Sequence, residues 1–191
     1  MMPSREHHHT IVALVEDKPG VLNRIASKWR QRGFNIESLA VGHSEIPGLS
    51  RMTFTVDGAT HDVDQVTKQL FKVIEVVNIT DITEEDVVAR ELALIRVAST
   101  PNTRGALIEL AQVFRANIVD VAQDSVILEV TGDEDKIEAL YELCLPYGVK
   151  ELMRTGRVAM ARGGAGHPEI EDGHRRYRSA GEGKAQVGSL L

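Results

Sequence analysis

The chain of 191 residues contains a single cysteine, Cys144. It therefore has no internal disulfide and no CxxC metal pair, which fits a reducing compartment. Aromatic residues make up 4%, too few for a base-stacking platform. Lys and Arg number 22 against 28 Asp and Glu, a formal charge of −6. That sign is poorly suited to nucleic acid or anionic membranes. No apolar run approaches the roughly 20 residues that span a bilayer. The N-terminus from Met1 to His9 lacks the apolar core of a secretory signal. GxGxxG, phosphate-loop, HExxH and nucleophile-elbow patterns are also missing. These absences predict a soluble, cytoplasmic, non-catalytic chain.

What is present is a repeated pattern. Thr10 to Val15 is a short continuous apolar run, as expected for a strand covered on both faces. Pro19 and Gly20 then open a helix whose apolar stripe is Val21, Leu22, Ile25 and Trp29, and Gly33 closes it. Asn35 to Ser44 reads as a second strand. Met52, Phe54 and Val56 alternate with Arg51, Thr53, Thr55 and Asp57, the period of a half-buried third strand. A helix with Val63, Val66, Leu70, Val73 and Ile74 on one side precedes a fourth strand, Val76 to Thr83. The order βαββαβ is that of a ferredoxin-like unit.

After the acidic break Glu84-Glu85-Asp86 the order restarts. Strands are predicted at Leu92–Val97, Ile118–Ala122, Val126–Val130 and Val149–Met160. Helical stripes run through Leu107, Ile108, Ala111 and Phe114, and through Ile137, Leu140, Tyr141 and Cys144. The fold class is thus α+β, with two tandem ferredoxin-like units over residues 8–84 and 90–161. Residues 162–191 hold 7 of the 16 glycines and few aliphatics, the composition of a disordered tail. Its Arg175-Arg176-Tyr177-Arg178 cluster reads as solvated.

Two places invite a chemical reading. His7 and His9 share a face if they lie on a strand, but no carboxylate or cysteine at ligand spacing accompanies them, so no metal site is expected. In the loop Asp17-Lys18-Pro19-Gly20-Val21-Leu22, glycine permits close approach and the helix end leaves N–H groups free. A carboxylate could sit on those N–H groups, worth roughly 0.3–1 kcal/mol from the helix dipole. Asp17 could take an ammonium, beside the apolar Val21 and Leu22. Asn35, whose amide both donates and accepts, offers a second polar contact. A plain strand-to-helix turn with Asp17 supporting the cap, and a turn asparagine after the helix, explain the same residues.

The Asp17–Leu22 loop resembles the signature loop of ACT domains, βαββαβ modules that bind amino acids at domain interfaces. Arg32-Gly33-Phe34-Asn35-Ile36-Glu37-Ser38-Leu39, Leu49-Ser50-Arg51-Met52-Thr53, Phe114-Arg115-Ala116-Asn117-Ile118 and Arg154-Thr155-Gly156 resemble the regulatory small subunits of acetolactate synthase. The resemblance runs from about Thr10 to Met160. It implies an ACT homodimer that activates a catalytic large subunit in branched-chain amino acid biosynthesis and confers feedback inhibition by valine. It also implies a valine pocket made of Asp17, Gly20, Val21 and Leu22 of one chain with Asn35 and Ile36 of the other. Cofactors are expected only on the large subunit: thiamine diphosphate, magnesium and FAD. Many bacterial members carry Asn where this chain has Asp17. The alternative is a stand-alone amino-acid or metal sensor.

Overall fold

The computed structural model describes residues 8–57, 63–164 and 176–178. The chain divides into two compact units, residues 1–88 with 159–191, and residues 89–158. In the first, β1 (His8–Glu16), α1 (Val21–Gln31), β2 (Ile36–His43), β3 (Leu49–Asp57), α2 (Val63–Leu70) and β4 (Val76–Asp81) follow in order. Their sheet runs β4-β1-β3-β2, with β1 antiparallel to both β3 and β4. The second unit repeats the order with β5 (Val87–Ala98), α3 (Arg104–Val113), β6 (Asn117–Val121), β7 (Ser125–Gly132), α4 (Glu134–Cys144) and β8 (Val149–Arg154). Its sheet runs β6-β7-β5-β8, while β9 (Val158–Ala161), which from Ala159 belongs to the first unit, pairs with β5. Both sheets have the expected ferredoxin-like order.

Each core lies between one sheet face and its helix pair. Ile11, Ala13 and Val15 of β1 and Met52, Phe54 and Val56 of β3 meet Val21, Ile25 and Trp29 of α1. Trp29 is fully buried, edge-on to Phe34 at 5.3 Å and tilted against Phe54 at 5.9 Å. In the second unit Ala93, Ile95, Val97, Val126, Leu128 and Val130 face Leu107, Ala111, Ile137, Leu140 and Cys144. Burial pushes the Cys144 thiol up to about 11, so it is a core residue and no nucleophile.

Five expectations need correction. Thr53 and Thr55, read as the open side of a half-buried strand, are 4% and 9% exposed. On that helix-free face Val12, Leu14 and Thr80 line a recess together with Ala159, Met160 and Ala161 of β9. α2 ends at Leu70, so Ile74 leaves its apolar side and is 75% exposed. Ile108, placed on the apolar stripe of α3, is 39% exposed while Leu107 and Ala111 alone are buried there. The long last strand is two, because Gly156 takes φ +79 and breaks the run between Arg154 and Val158. Within the supposed tail, Arg176–Arg178 forms a strand, β10, that pairs parallel with β4 and adds a fifth strand at that edge of the first sheet. Residues 165–175 and 179–191, like His7, lie outside the described residues.

Candidate functional site

The loop leaving β1 is held from both sides by backbone bonds. The Asp17 N–H donates to the Gly48 carbonyl at 2.9 Å, and the Glu16 N–H donates to the Glu75 carbonyl at 2.8 Å. Gly20 then turns into α1 at φ +85 and ψ −6, and no side chain caps the helix. A Cβ added to Gly20 would meet nothing within 4 Å. The glycine is therefore required by backbone conformation, and the space over the first turn is open.

Loop charges pair with neighbours. The His43 ring Nδ1 lies 3.3 Å from the Asp17 carboxylate, with both side chains exposed, and Lys18 Nζ lies 2.7 Å from Glu16. Glu75, 7% exposed, takes an ion pair from Arg24 one turn into α1 and has a second carboxylate oxygen without a partner among the described residues. His43 and Glu75 had no signal in the sequence: they stand 26 and 58 positions from Asp17, and only the strand register brings them to this loop.

The predicted ligand residues divide into two groups. Asp17, Gly20 and Leu22 are exposed beside the open turn, while Val21 is 3% exposed and belongs to the core. Asn35 is exposed and Ile36 packs partly against the core. Within one chain these groups do not meet. Ile36 pairs with Val56, whereas Glu16 pairs with Leu49, seven positions earlier in β3. At about 3.3 Å per residue the two ends are roughly 23 Å apart along the sheet.

At the Asn35 end, His9 Nδ1 lies 2.8 Å from Asp81, whose other oxygen accepts from the N–H and hydroxyl of Thr83. Hydrogen bonding to Asp81 raises the pKa of His9 against the opposing effect of burial. Burial drives the Asp81 pKa up, but hydrogen bonds from His9 and Thr83 outweigh it and leave the net shift downward. His8 meets Glu37 at 3.2 Å. Among the described residues no group of three His, Cys, Asp or Glu is placed to hold a metal, and no helix is long and apolar enough to cross a membrane.

The model of the AHAS small subunit-like ACT domain matches residues 11–78, and that of the small subunit of acetolactate synthase matches residues 90–163. A probable acetolactate synthase small subunit of Archaeoglobus fulgidus is 58% identical over 155 residues, covering 81% of this chain and 97% of the relative. The chain belongs to the acetolactate synthase small-subunit family. The acetolactate synthase small subunit of Bacillus subtilis is 51% identical over 80% of this chain and 90% of its own length. The crystal structure of the acetolactate synthase small subunit from Thermotoga maritima superposes with a TM-score of 0.74 at 41% identity, covering 81% of this chain and 97% of that one. The two family segments fall on the two βαββαβ repeats, so the repeat is the family's own architecture.

Proposed function

We propose that this chain is the regulatory subunit of an acetolactate synthase. It binds the catalytic large subunit, raises its activity, and lowers that activity when valine occupies the junction of two ACT units. Catalysis, with thiamine diphosphate, magnesium and FAD, belongs to the large subunit.

The observation that carries the reading is the separation of the two ligand groups within one chain. A ligand small enough to be an amino acid touches both the Gly20 turn and Asn35 only if they come from different copies. β2 is the outer strand on its side of the first sheet, and Val41, Gly42 and His43 are exposed. Antiparallel pairing of β2 with its copy, centred between Leu39 and Ala40, sets Asn35 opposite Ser44 of the other chain. That position adjoins His43 and hence the Asp17 loop.

Valine suits such a junction. Its carboxylate meets the N–H groups at the start of α1, its ammonium meets Asp17, and Asn35 of the other chain completes the polar contacts. Burying its isopropyl group contributes on the order of 1.5–3 kcal/mol. The charged ends need those partners, because desolvating them unpaired costs more. A ligand held between two rigid units biases their setting, and couplings of this kind amount to about 1–3 kcal/mol.

The test mixes the full chain with an acetolactate synthase large subunit and measures acetolactate formation with and without valine. Activation by the chain, inhibition by valine, and loss of inhibition in Asn35→Ala are expected. No activation would instead favour a stand-alone sensor. Activation with valine inhibition intact in Asn35→Ala would refute the junction site.

A further inference from the structure

A second recess lies on the helix-free face of the first sheet, on the opposite side from the α1 and α2 core. The strand register builds it as a grid. Leu14 of β1 is flanked by Arg51 of β3 and Asn78 of β4, and Val12 is flanked by Thr53 and Thr80. Ile82 closes one end, and Ala159, Met160 and Ala161 of β9 form the facing wall. The floor and wall are aliphatic, whereas the flanks are polar.

The polar groups are only partly engaged. Glu45 binds Arg51 through a single nitrogen, Nη2, at 2.9 and 3.1 Å. The Nε and Nη1 groups of Arg51 have no partner among the described residues. Thr80 is 6% exposed, lines the recess, and its hydroxyl has no hydrogen bond to a described residue. The half-buried amide of Asn78 is likewise unengaged among the described residues. Water reaches these groups, so a ligand that offers matching oxygens displaces solvent there.

We propose that this recess binds a short branched monocarboxylate carrying an oxygen, not an ammonium, at C2: a 2-oxo or 2-hydroxy acid. The free N–H groups of Arg51 take the carboxylate. Thr80 and Asn78 donate to the C2 oxygen, and Leu14, Val12, Ile82 and Met160 enclose the alkyl end. An amino acid is disfavoured because the one carboxylate among the described residues that line the recess, Glu45, is already engaged by Arg51. The site is separate from the Gly20 turn and stands or falls independently of the valine reading.

The experiment is a calorimetric titration of the full chain with 3-methyl-2-oxobutanoate at millimolar concentration, repeated in the presence of saturating valine. Saturable binding that valine does not compete away is expected. Arg51→Gln should weaken it about tenfold or more, and Thr80→Val several-fold, by loss of hydrogen bonds to the ligand. Glu45→Gln should tighten it several-fold, since it releases Arg51 from its competitor. Glu45 is half exposed and engages a further group besides Arg51, so thermal unfolding of this variant is measured beside its affinity to separate the site from the fold. No saturable binding, competition by valine, or an affinity unchanged by Glu45→Gln would each overturn the proposal.

Discussion

Replacing Gly20 with alanine separates what the turn needs for folding from what it needs for a ligand. Gly20 has φ +85, and an added Cβ meets no atom within 4 Å. The cost is therefore conformational, with no clash to add. Placing an L-residue in the left-handed region costs roughly 1–2 kcal/mol. Gly148, at φ +95 and ψ +91 with only the Ala98 Cβ at 3.5 Å, is a positive-φ control in the second unit, outside the left-handed helical region that Gly20 occupies. Gly20→Ala should lower the denaturant stability of the first unit by about 1–2 kcal/mol, and Gly148→Ala should destabilise the second unit by at least as much, since its backbone conformation is rarer still for an L-residue. Gly20→Asn should cost less, because asparagine tolerates this conformation. Only substitutions at Gly20 should weaken the stabilisation that valine confers on thermal unfolding. A neutral Gly20→Ala would show that the turn does not adopt the left-handed conformation. A loss well above that range would mean that packing blocks the space over the first turn. Equal damage to the valine response from Gly148→Ala would detach the effector from this loop.

Other consequences follow from the same contacts. The His9 pKa is raised, so its contribution to stability is complete below the ordinary value of 6.5 and is lost as pH rises through the folded value. Asp81, whose pKa is lowered, contributes above its ordinary 3.8 and loses that contribution as pH falls through its folded value. Melting temperatures of wild type and His9→Gln should thus differ most between those ordinary values and converge above the raised His9 value. Arg154 holds the nearly buried Glu91 through two bonds of 2.9 and 2.7 Å, and Arg154→Met should cost the second unit about 1–3 kcal/mol in urea denaturation by stranding that carboxylate. The Trp29 indole N–H has no partner among the described residues, so Trp29→Phe should cost less than the roughly 3–5 kcal/mol expected of Trp29→Ala.

Much of this architecture is legible because the helices and inner strand faces carry it locally. Val21, Ile25 and Trp29 mark their helix, and Met52, Phe54 and Val56 mark their strand, and all six are buried. The burial of Thr53 and Thr55 is not legible, because alternation identifies one covered face and is silent about the other. On that other face Val12 and Leu14 share a recess with Ala159–Ala161, more than a hundred positions along the chain. Gly156 offered a local signal for the break after β8, but the apolar residues on both sides masked it. For the candidate site, spacing identified an open glycine turn and a polar strand entry. Whether they meet within a chain is a question of register, and β3 answers it by setting them at opposite ends.

The two repeats share a plan but not their rare side chains. The one tryptophan, Trp29, is sealed in the first core, and the one cysteine, Cys144, in the second. Each half of the unmodified chain thereby carries its own built-in reporter: indole emission follows the opening of the first, and alkylation of the thiol follows the opening of the second. Whether an effector at one half steadies the other becomes a measurement that needs no label.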